Sequence, residues 1–201
     1  MPSLNSPLCF RPVYKDYLWG GRRIPELFHR DAPGGAVAES WEIADREEGM
    51  SAVENGPRAG TTLAGLLREA GAELVGAPPP GDRFPLLIKL IDAAQRLSVQ
   101  VHPHDDNAGR TGGEPKTEMW IVLDAAPGAA IIAGLKPEVD EDLFRCALAE
   151  NRVQDLMNRV EVKAGDAAYV PGGRVHAICE GCLILEVQQN SNTTYRLYDW
   201  G

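Results

Sequence analysis

Polar side chains that can bind a metal recur at two-residue spacing near the middle of the chain. Residues 97–102 read LSVQVH, in which apolar residues alternate with Ser98, Gln100 and His102. Strict alternation is typical of a half-buried strand, so the three polar side chains share one face. An amide and an imidazole on an inward face are costly unless a metal ion or a bound polar ligand satisfies them. The segment therefore predicts part of a ligand site.

Two further segments could complete this site. Lys116 and Glu118 are two residues apart and would share a face of another strand. Residues 165–176 read GDAAYVPGGRVH, in which glycine and proline predict a tight turn before a strand that resumes near His176. A lone histidine is usually an ordinary polar residue, and Glu118 alone could be a surface charge. Three of the four histidines fall in these regions, however, which favours a shared role.

The side chains that could meet are two imidazoles, one carboxylate and one amide oxygen, from Gln100, His102, Glu118 and His176. Such mixed ligands suit zinc, with iron or manganese as alternatives. A set of this kind with a position left for substrate is typical of a catalytic metal site. His104 would share the face of His102, but Pro103 interrupts the ladder, so we expect His104 to be a neighbour and not a ligand. His29 lies in a poorly patterned segment and is assigned no role.

Composition excludes several classes of function. The net charge of -9 argues against a nucleic-acid-binding surface, although a local basic pocket could still bind an anionic small molecule. No apolar stretch approaches the ~20 residues of a membrane span, and no secretory signal is expected. Four cysteines are too few for a disulfide scaffold, which predicts a reducing compartment, the cytoplasm. Cys179 and Cys182 are expected to flank a two-residue hairpin turn.

Short alternating segments separated by 21 glycines and 15 prolines predict a mainly β fold. Strands are predicted over residues 38–43, 86–92, 97–102, 118–124, 129–133, 167–170, 183–188 and 194–200. Helical spacing is confined to residues 62–75 and 138–158. The pattern favours a jelly roll or β-sandwich with a few helical additions. In the last strand we expect Arg196, Tyr198 and Trp200 to share one face.

Four segments in a fixed order carry a resemblance to a known family. They read LWGG, LSVQVHP, KTEMW and VPGGRVHAI…LEVQQNSNTTYRLYD, and they span residues 18–199. The pattern G-x5-P-x-G-x2-H at 165–176 is similar to the second motif of the cupin superfamily, and the four segments together resemble the type I mannose-6-phosphate isomerases. The resemblance implies a single catalytic cupin domain over residues 1–201. It also implies that the C-terminal β-rich segment usual in the family is absent.

The resemblance implies a zinc-dependent aldose–ketose isomerase that interconverts mannose 6-phosphate and fructose 6-phosphate through an enediol, with one zinc ion per chain. It places the metal ligands at Gln100, His102, Glu118 and His176, and the pocket residues at Ser98, Lys116, Glu186 and Arg196, the last being the active-site arginine. The general base stays open among Glu186, Lys116 and metal-bound water. Arg196 is expected either to stabilise the enediolate or to hold the phosphate, and Lys116 is a second candidate for either task. Asn192 stands where relatives often have Asp, and an amide cannot act as a base. A sugar-phosphate-binding cupin without catalysis, or another metal-dependent cupin enzyme, therefore remains an alternative.

Overall fold

Two antiparallel sheets packed face to face form the body of the molecule. The computed structural model describes residues 6–76 and 81–200. The strands are β1 Val13–Lys15, β2 Glu39–Ile43, β3 Asp45–Arg46, β4 Gly49–Met50, β5 Leu86–Asp92, β6 Val99–Val101, β7 Glu118–Ala125, β8 Ala130–Leu135, β9 Met157–Glu161, β10 Ala167–Val170, β11 His176–Ile178, β12 Cys182–Gln189 and β13 Tyr195–Tyr198. The helices are α1 Arg23–Leu27, α2 Leu63–Val75, α3 Ala108–Thr111 and α4 Glu141–Ala149, with 3-10 turns at Gly56–Arg58 and Val153–Leu156.

The larger sheet has the strand order β1-β2-β5-β12-β7-β10, and the smaller one has the order β13-β6-β11-β8-β9. Strands β3 and β4 form a separate two-stranded ribbon. The mainly β sandwich with few helices predicted from the sequence is confirmed. Among the helices within residues 6–76 and 81–200, none is long and apolar enough to cross a bilayer.

Side-chain alternation along β7 shows how the sheets bury their inner faces. Glu118 and Trp120 point inward and are almost fully buried, whereas Met119 and Ile121 point outward and are partly exposed. The inward side chains of both sheets form one core, which contains Ile91, Trp120, Ile131, Val170, Ile178 and Ile184. Because burial of apolar area is the main stabilising term of such a sandwich, a polar inward residue such as Glu118 needs a specific partner.

The helix predicted over residues 138–158 is shorter than expected. Helix α4 ends at Ala149, and Asn151 then adopts a left-handed φ of 57°. Residues 157–161 form strand β9, which pairs with β8, and Val153 packs with Met157 in a core behind the smaller sheet. The apolar spacing that suggested a longer helix is satisfied by strand pairing and packing, which override local propensity. The short helices α1 and α3 were not predicted.

The turn between Cys179 and Cys182 differs from the predicted hairpin. Strand β11 belongs to the smaller sheet and β12 to the larger one, so Glu180 and Gly181 connect the two sheets. Gly181 has a φ of 90°, a conformation that favours glycine. Both cysteines are unpaired, and burial raises the pKa of Cys182 to about 11. Burial also raises the pKa of the Cys179 thiol, so both cysteines favour the thiol form near pH 7.

Candidate metal centre and substrate cavity

Three buried side chains from the two facing sheets meet inside the sandwich. His102 directly follows β6, His176 begins β11, and Glu118 begins β7 of the opposite sheet. Nε2 of His102 lies 3.1 Å from Nε2 of His176 and 3.2 Å from Oε1 of Glu118. Nε2 of His176 lies 3.6 Å from the other oxygen of Glu118. The donor atoms all lie within 4.8 Å of one another, so this buried triad could hold a metal ion.

The Pro171-Gly172-Gly173 turn sets His176 beside His102. A side chain at Gly172 would place its Cβ 2.4 Å from the carbonyl oxygen of Pro103, so only glycine fits this close approach. Gly173 has a φ of 85°, and its N–H donates to the carbonyl oxygen of His102 at 2.8 Å. The turn is thereby held against the end of β6, and the next strand begins with His176 next to the other imidazole.

The two imidazoles present lone pairs to the centre of the triad. Nδ1 of His176 lies 2.8 Å from the carbonyl oxygen of Arg174, which can only accept, so Nε2 carries the lone pair. The ammonium of Lys116, which can only donate, lies 3.2 Å from Nε2 of His102. Burial lowers the pKa of His102, and it lowers the pKa of His176 to about 4. Both rings are therefore neutral near pH 7, as metal ligation requires.

The remaining donor of the triad is anionic. Burial acts to raise the pKa of Glu118, but the nearby Lys116 ammonium helps to hold it well below its ordinary value. Two neutral lone pairs that face each other at 3.1 Å repel, and a cation shared with a carboxylate relieves that repulsion. Nδ1 of His102 is buried without a hydrogen-bond partner in the described part of the chain. The donor set therefore fits a divalent cation.

Gln100 and His104 lie differently with respect to the triad. Gln100 pairs in register with His176 on one side and with Arg196 on the other, and it lines the cavity next to the triad. His104 is turned away: its ring lies 3.2 Å from the carboxylate of Asp106, and its side chain is 44% exposed. Three of the four predicted ligands thus form one cluster, and the fourth occupies the adjoining wall.

A cavity of about 250 Å³ opens between the sheets beside the triad. Six residues predicted for the site line it, namely Ser98, Gln100, Lys116, Glu118, Glu186 and Arg196. Its floor is buried, because Lys116, Glu118 and Glu186 are each less than 10% exposed. At its mouth, Arg196 is exposed to solvent. The cavity therefore offers a polar, partly dehydrated space next to a candidate metal centre.

A chain of buried charges forms the wall of the larger sheet. Nζ of Lys89 lies 2.9 Å from Glu186 and 3.5 Å from Glu39, and the indole N–H of Trp120 donates to Glu186 at 2.7 Å. Burial acts to lower the pKa of Lys89, but Glu186 and Glu39 raise it above its ordinary value, so the ammonium is charged. Burial, and next the charge of Glu118, raise the pKa of Glu186. Lys89 and Trp120 therefore fix the position of the Glu186 carboxylate, and its raised pKa favours uptake of a proton.

The sequence analysis did not predict a role for two residues of this wall, Glu39 and Lys89. Lys89 lies inside the apolar run LLIKLID, and Glu39 lies inside AESWEI. Both segments were interpreted as strands, without a role for the charged side chain. A charge at an inward position of a buried strand must be paired, and this was the signal that could have identified the wall.

Strand β13 also departs from the expected alternation. Arg196 pairs with Gln100 and Tyr198 pairs with Val99, so the register breaks at Leu197. As a result Arg196 lines the cavity, whereas Tyr198 and Trp200 pack behind the smaller sheet. The prediction that these three side chains share one face is wrong, because a β-bulge shifts the alternation by one residue.

Comparison with known proteins agrees with this architecture. Residues 8–130 match the family model for the catalytic domain of type I phosphomannose isomerase. The mannose-6-phosphate isomerase ManA of Bacillus subtilis (strain 168) is 45% identical over 198 residues, which cover 98% of this chain and 62% of that protein. The chain thus spans about three-fifths of the length of such relatives.

Solved structures show the same fold. The crystal structure of the mannose 6-phosphate isomerase from Bacillus subtilis superposes with a TM-score of 0.89 at 39% identity, covering 98% of this chain and 62% of that one. A mannose 6-phosphate isomerase bound with zinc and yttrium shares the fold, with a TM-score of 0.68 at 17% identity over 94% of this chain and 70% of that one. The cupin-type sandwich is confirmed, and the chain belongs to the type I phosphomannose isomerase family.

Proposed function

We propose that this chain is a zinc-dependent aldose–ketose isomerase that interconverts mannose 6-phosphate and fructose 6-phosphate. The observation that carries the proposal is the buried triad of His102, Glu118 and His176 at the inner end of a charged cavity. Family membership supports this choice of reaction, because proteins named mannose-6-phosphate isomerase match nearly the whole of this chain. We further propose that the residues of this chain act as one catalytic cupin domain.

The proposed metal ligands are Gln100, His102, Glu118 and His176. Zinc suits two imidazoles with oxygen ligands, and an isomerase of the same fold is known with zinc bound. One ion per chain is expected from the single triad in the described part of the chain. When bound, the metal supplies Lewis acidity toward the carbonyl and hydroxyl oxygens of the sugar.

The residues of the chain supply proton transfer and orientation. Isomerisation moves a proton between C2 and C1 through an enediol, so an acid/base group must reach these carbons. Lys116 and Glu186 both line the buried part of the cavity and are the proposed acid/base residues. Ser98 lines the same cavity and can donate a hydrogen bond to a sugar oxygen. Arg196 stands next to Gln100 and is proposed to stabilise negative charge on the enediolate.

A second candidate function is sugar-phosphate binding without turnover. Asn192 lines the cavity, and its amide donates to Glu48 at 3.2 Å, so no carboxylate acts as a base from this position. This alternative keeps the metal centre and the substrate class and removes only the reaction.

A cytoplasmic location is proposed from the thiols. All four cysteines are unpaired, as a reducing compartment would maintain them. Sugar phosphates are the proposed small-molecule partners, and no nucleic-acid partner is proposed for a chain with a net charge of -9.

The test is turnover of mannose 6-phosphate by the purified chain, with fructose 6-phosphate measured in a coupled assay. The zinc-loaded chain should be active, a chelator should abolish the activity, and zinc should restore it. Glu118→Gln keeps the side-chain size but removes the charge, so it should lose both zinc and activity. A zinc-loaded chain that binds mannose 6-phosphate without producing fructose 6-phosphate would contradict the isomerase and support the binding function.

A further inference from the structure

An aromatic turn borders the cavity beside the triad. Residues 17–21 read YLWGG and include the LWGG segment, which has no part in the proposed proton transfer. Tyr17 and Trp19 both line the cavity, whereas Leu18 between them is 94% exposed. The two-residue spacing thus brings both rings to the cavity side. The rings stack, with their centroids 5.5 Å apart and an angle of 29° between their planes.

The turn is fixed to the body of the sandwich. The N–H of Gln95 donates to the carbonyl oxygen of Trp19 at 3.0 Å, and the N–H of Gly20 donates to that of Tyr17 at 3.0 Å. A side chain at Gly20 would place its Cβ 2.5 Å from the Cα of Ala38, so only glycine allows this close approach. Trp19 also packs against the inner core of the sandwich. The rings are therefore in place before a ligand binds, which reduces the entropy lost on binding.

Tyr17 and Trp19 supply most of the apolar surface that a ligand in this cavity could reach. The other apolar side chains that line it in the described part of the chain are each less than 10% exposed, namely Ile91, Leu97, Trp120 and Ile178. Tyr17, in contrast, is 44% exposed, and Trp19 is partly exposed. The remaining lining side chains are polar or charged. A ligand would therefore meet polar groups on most sides and an aromatic surface at these two rings.

The phenol of Tyr17 lies near charged groups of the same cavity. Partial burial raises its pKa, and the charges of Glu39, Lys89 and Arg196 also act on it. All three of these residues line the cavity. The phenol is therefore neutral near pH 7, and its ring can approach an anionic ligand without repelling it.

A hexose phosphate presents two kinds of surface to such a cavity. Its hydroxyl and phosphate oxygens need hydrogen-bonding or charged partners, whereas the C–H groups of its carbon chain are apolar. Removing these C–H groups from water is favourable when an apolar surface receives them. Tyrosine and tryptophan rings provide a large, rigid surface of this kind at a low cost in side-chain entropy.

We propose that Tyr17 and Trp19 form an aromatic platform that binds the carbon chain of the hexose phosphate through its C–H groups. The proposal rests on the proposed function, because that function supplies the substrate. It assigns the YLWGG turn to substrate recognition and not to the chemical step. Contacts that are equal in the ground and transition states change KM and leave kcat nearly unchanged.

The test compares Tyr17→Ala and Tyr17→Phe with the zinc-loaded wild-type chain. The coupled assay gives kcat and KM for mannose 6-phosphate. Calorimetry gives the affinity for mannitol 1-phosphate, which has the carbon chain and the phosphate but no carbonyl group to isomerise. Tyr17→Ala should raise KM and weaken this binding on the order of 10-fold, with kcat within about 2-fold. Tyr17→Phe keeps the ring and should recover most of the lost affinity.

Trp19→Leu tests the second ring. Leucine keeps an apolar side chain against the core but removes the planar surface, so KM and the affinity should change in the same direction as in Tyr17→Ala. Because Trp19 packs against the core, this variant could fold poorly. The two Tyr17 variants then decide, since Tyr17 is largely outside the core.

Tyr169→Ala is the matched control. Tyr169 lies on β10 of the larger sheet, is 61% exposed and does not line the cavity. Its loss removes a tyrosine ring of the same size from the surface of the protein. The KM and the affinity for mannitol 1-phosphate should therefore match the wild type.

Several outcomes would overturn the aromatic platform. These are an unchanged KM and affinity in Tyr17→Ala, a lower kcat with unchanged KM, an equal loss in Tyr169→Ala, and an equal loss in Tyr17→Phe, which would assign the effect to the hydroxyl group. Failure of the proposed function looks different. A wild-type chain that binds mannitol 1-phosphate without isomerising mannose 6-phosphate refutes the isomerase, while weaker binding in Tyr17→Ala still supports the platform. A wild-type chain that does neither refutes both.

Discussion

Acid should destabilise the metal-free chain strongly because His176 is buried in its neutral form. Burial lowers the pKa of His176 to about 4, whereas an imidazole in an unfolded chain titrates near 6.5. Between these values the unfolded state binds more protons than the folded state, so the free energy of unfolding falls as the pH falls. The difference between the two pKa values corresponds to about 3 kcal/mol in total, of which about 2 kcal/mol is lost by pH 5.

The assay is urea unfolding in the presence of a chelator, at about pH 7.5 and about pH 5, for the wild-type chain and His176→Gln. Glutamine cannot be protonated, and the other titrating groups are present in both proteins. Burial also lowers the pKa of His102, which acts in the same direction in both. The wild type should therefore lose about 2 kcal/mol more than the variant between these pH values. Equal losses in the two proteins would refute the buried, neutral state of His176.

Two other substitutions distinguish the roles of neighbouring residues. His102→Ala should lose its bound zinc, whereas His104→Ala should keep most of it, because the His104 ring faces Asp106 and not the triad. Elemental analysis measures the zinc content of both variants. Equal losses of zinc would show that the ligand set is wrong. Arg196→Ala should keep its metal and its folded state but lose kcat on the order of 100-fold, as expected when a donor to developing negative charge is removed. If Arg196 instead holds the phosphate equally in the ground and transition states, KM should rise while kcat stays similar. Wild-type values of both kcat and KM would place Arg196 outside the site.

Local sequence patterns were sufficient to predict most strands and the residues of the triad. The alternation in LSVQVH placed Gln100 on an inward face and His102 at the end of its strand, and the PGG turn predicted a strand that begins at His176. Each of these inferences depends only on the two-residue period of a strand or on turn chemistry. The buried triad could be anticipated because its residues are polar where the pattern requires burial.

The features that were missed depend on contacts between distant segments. The pairing of Lys89 with Glu39 and Glu186 requires the order of three strands in one sheet, which no local pattern gives. The bulge at Leu197 is visible only in the register between β13 and β6. Residues 157 and 158, at the end of the predicted helix, belong to a strand that pairs with β8, so tertiary contacts decided their conformation.

Titration of zinc into the chelated chain, with bound zinc and isomerase rate followed together, tests the central claim most directly. If the triad of His102, Glu118 and His176 is the catalytic metal centre, the rate of fructose 6-phosphate formation should rise in proportion to bound zinc. It should reach its maximum at about one equivalent per chain, as one ion in one mixed nitrogen–oxygen site requires. A full rate in the chelated chain, or no rate after one equivalent of zinc is bound, would contradict the account.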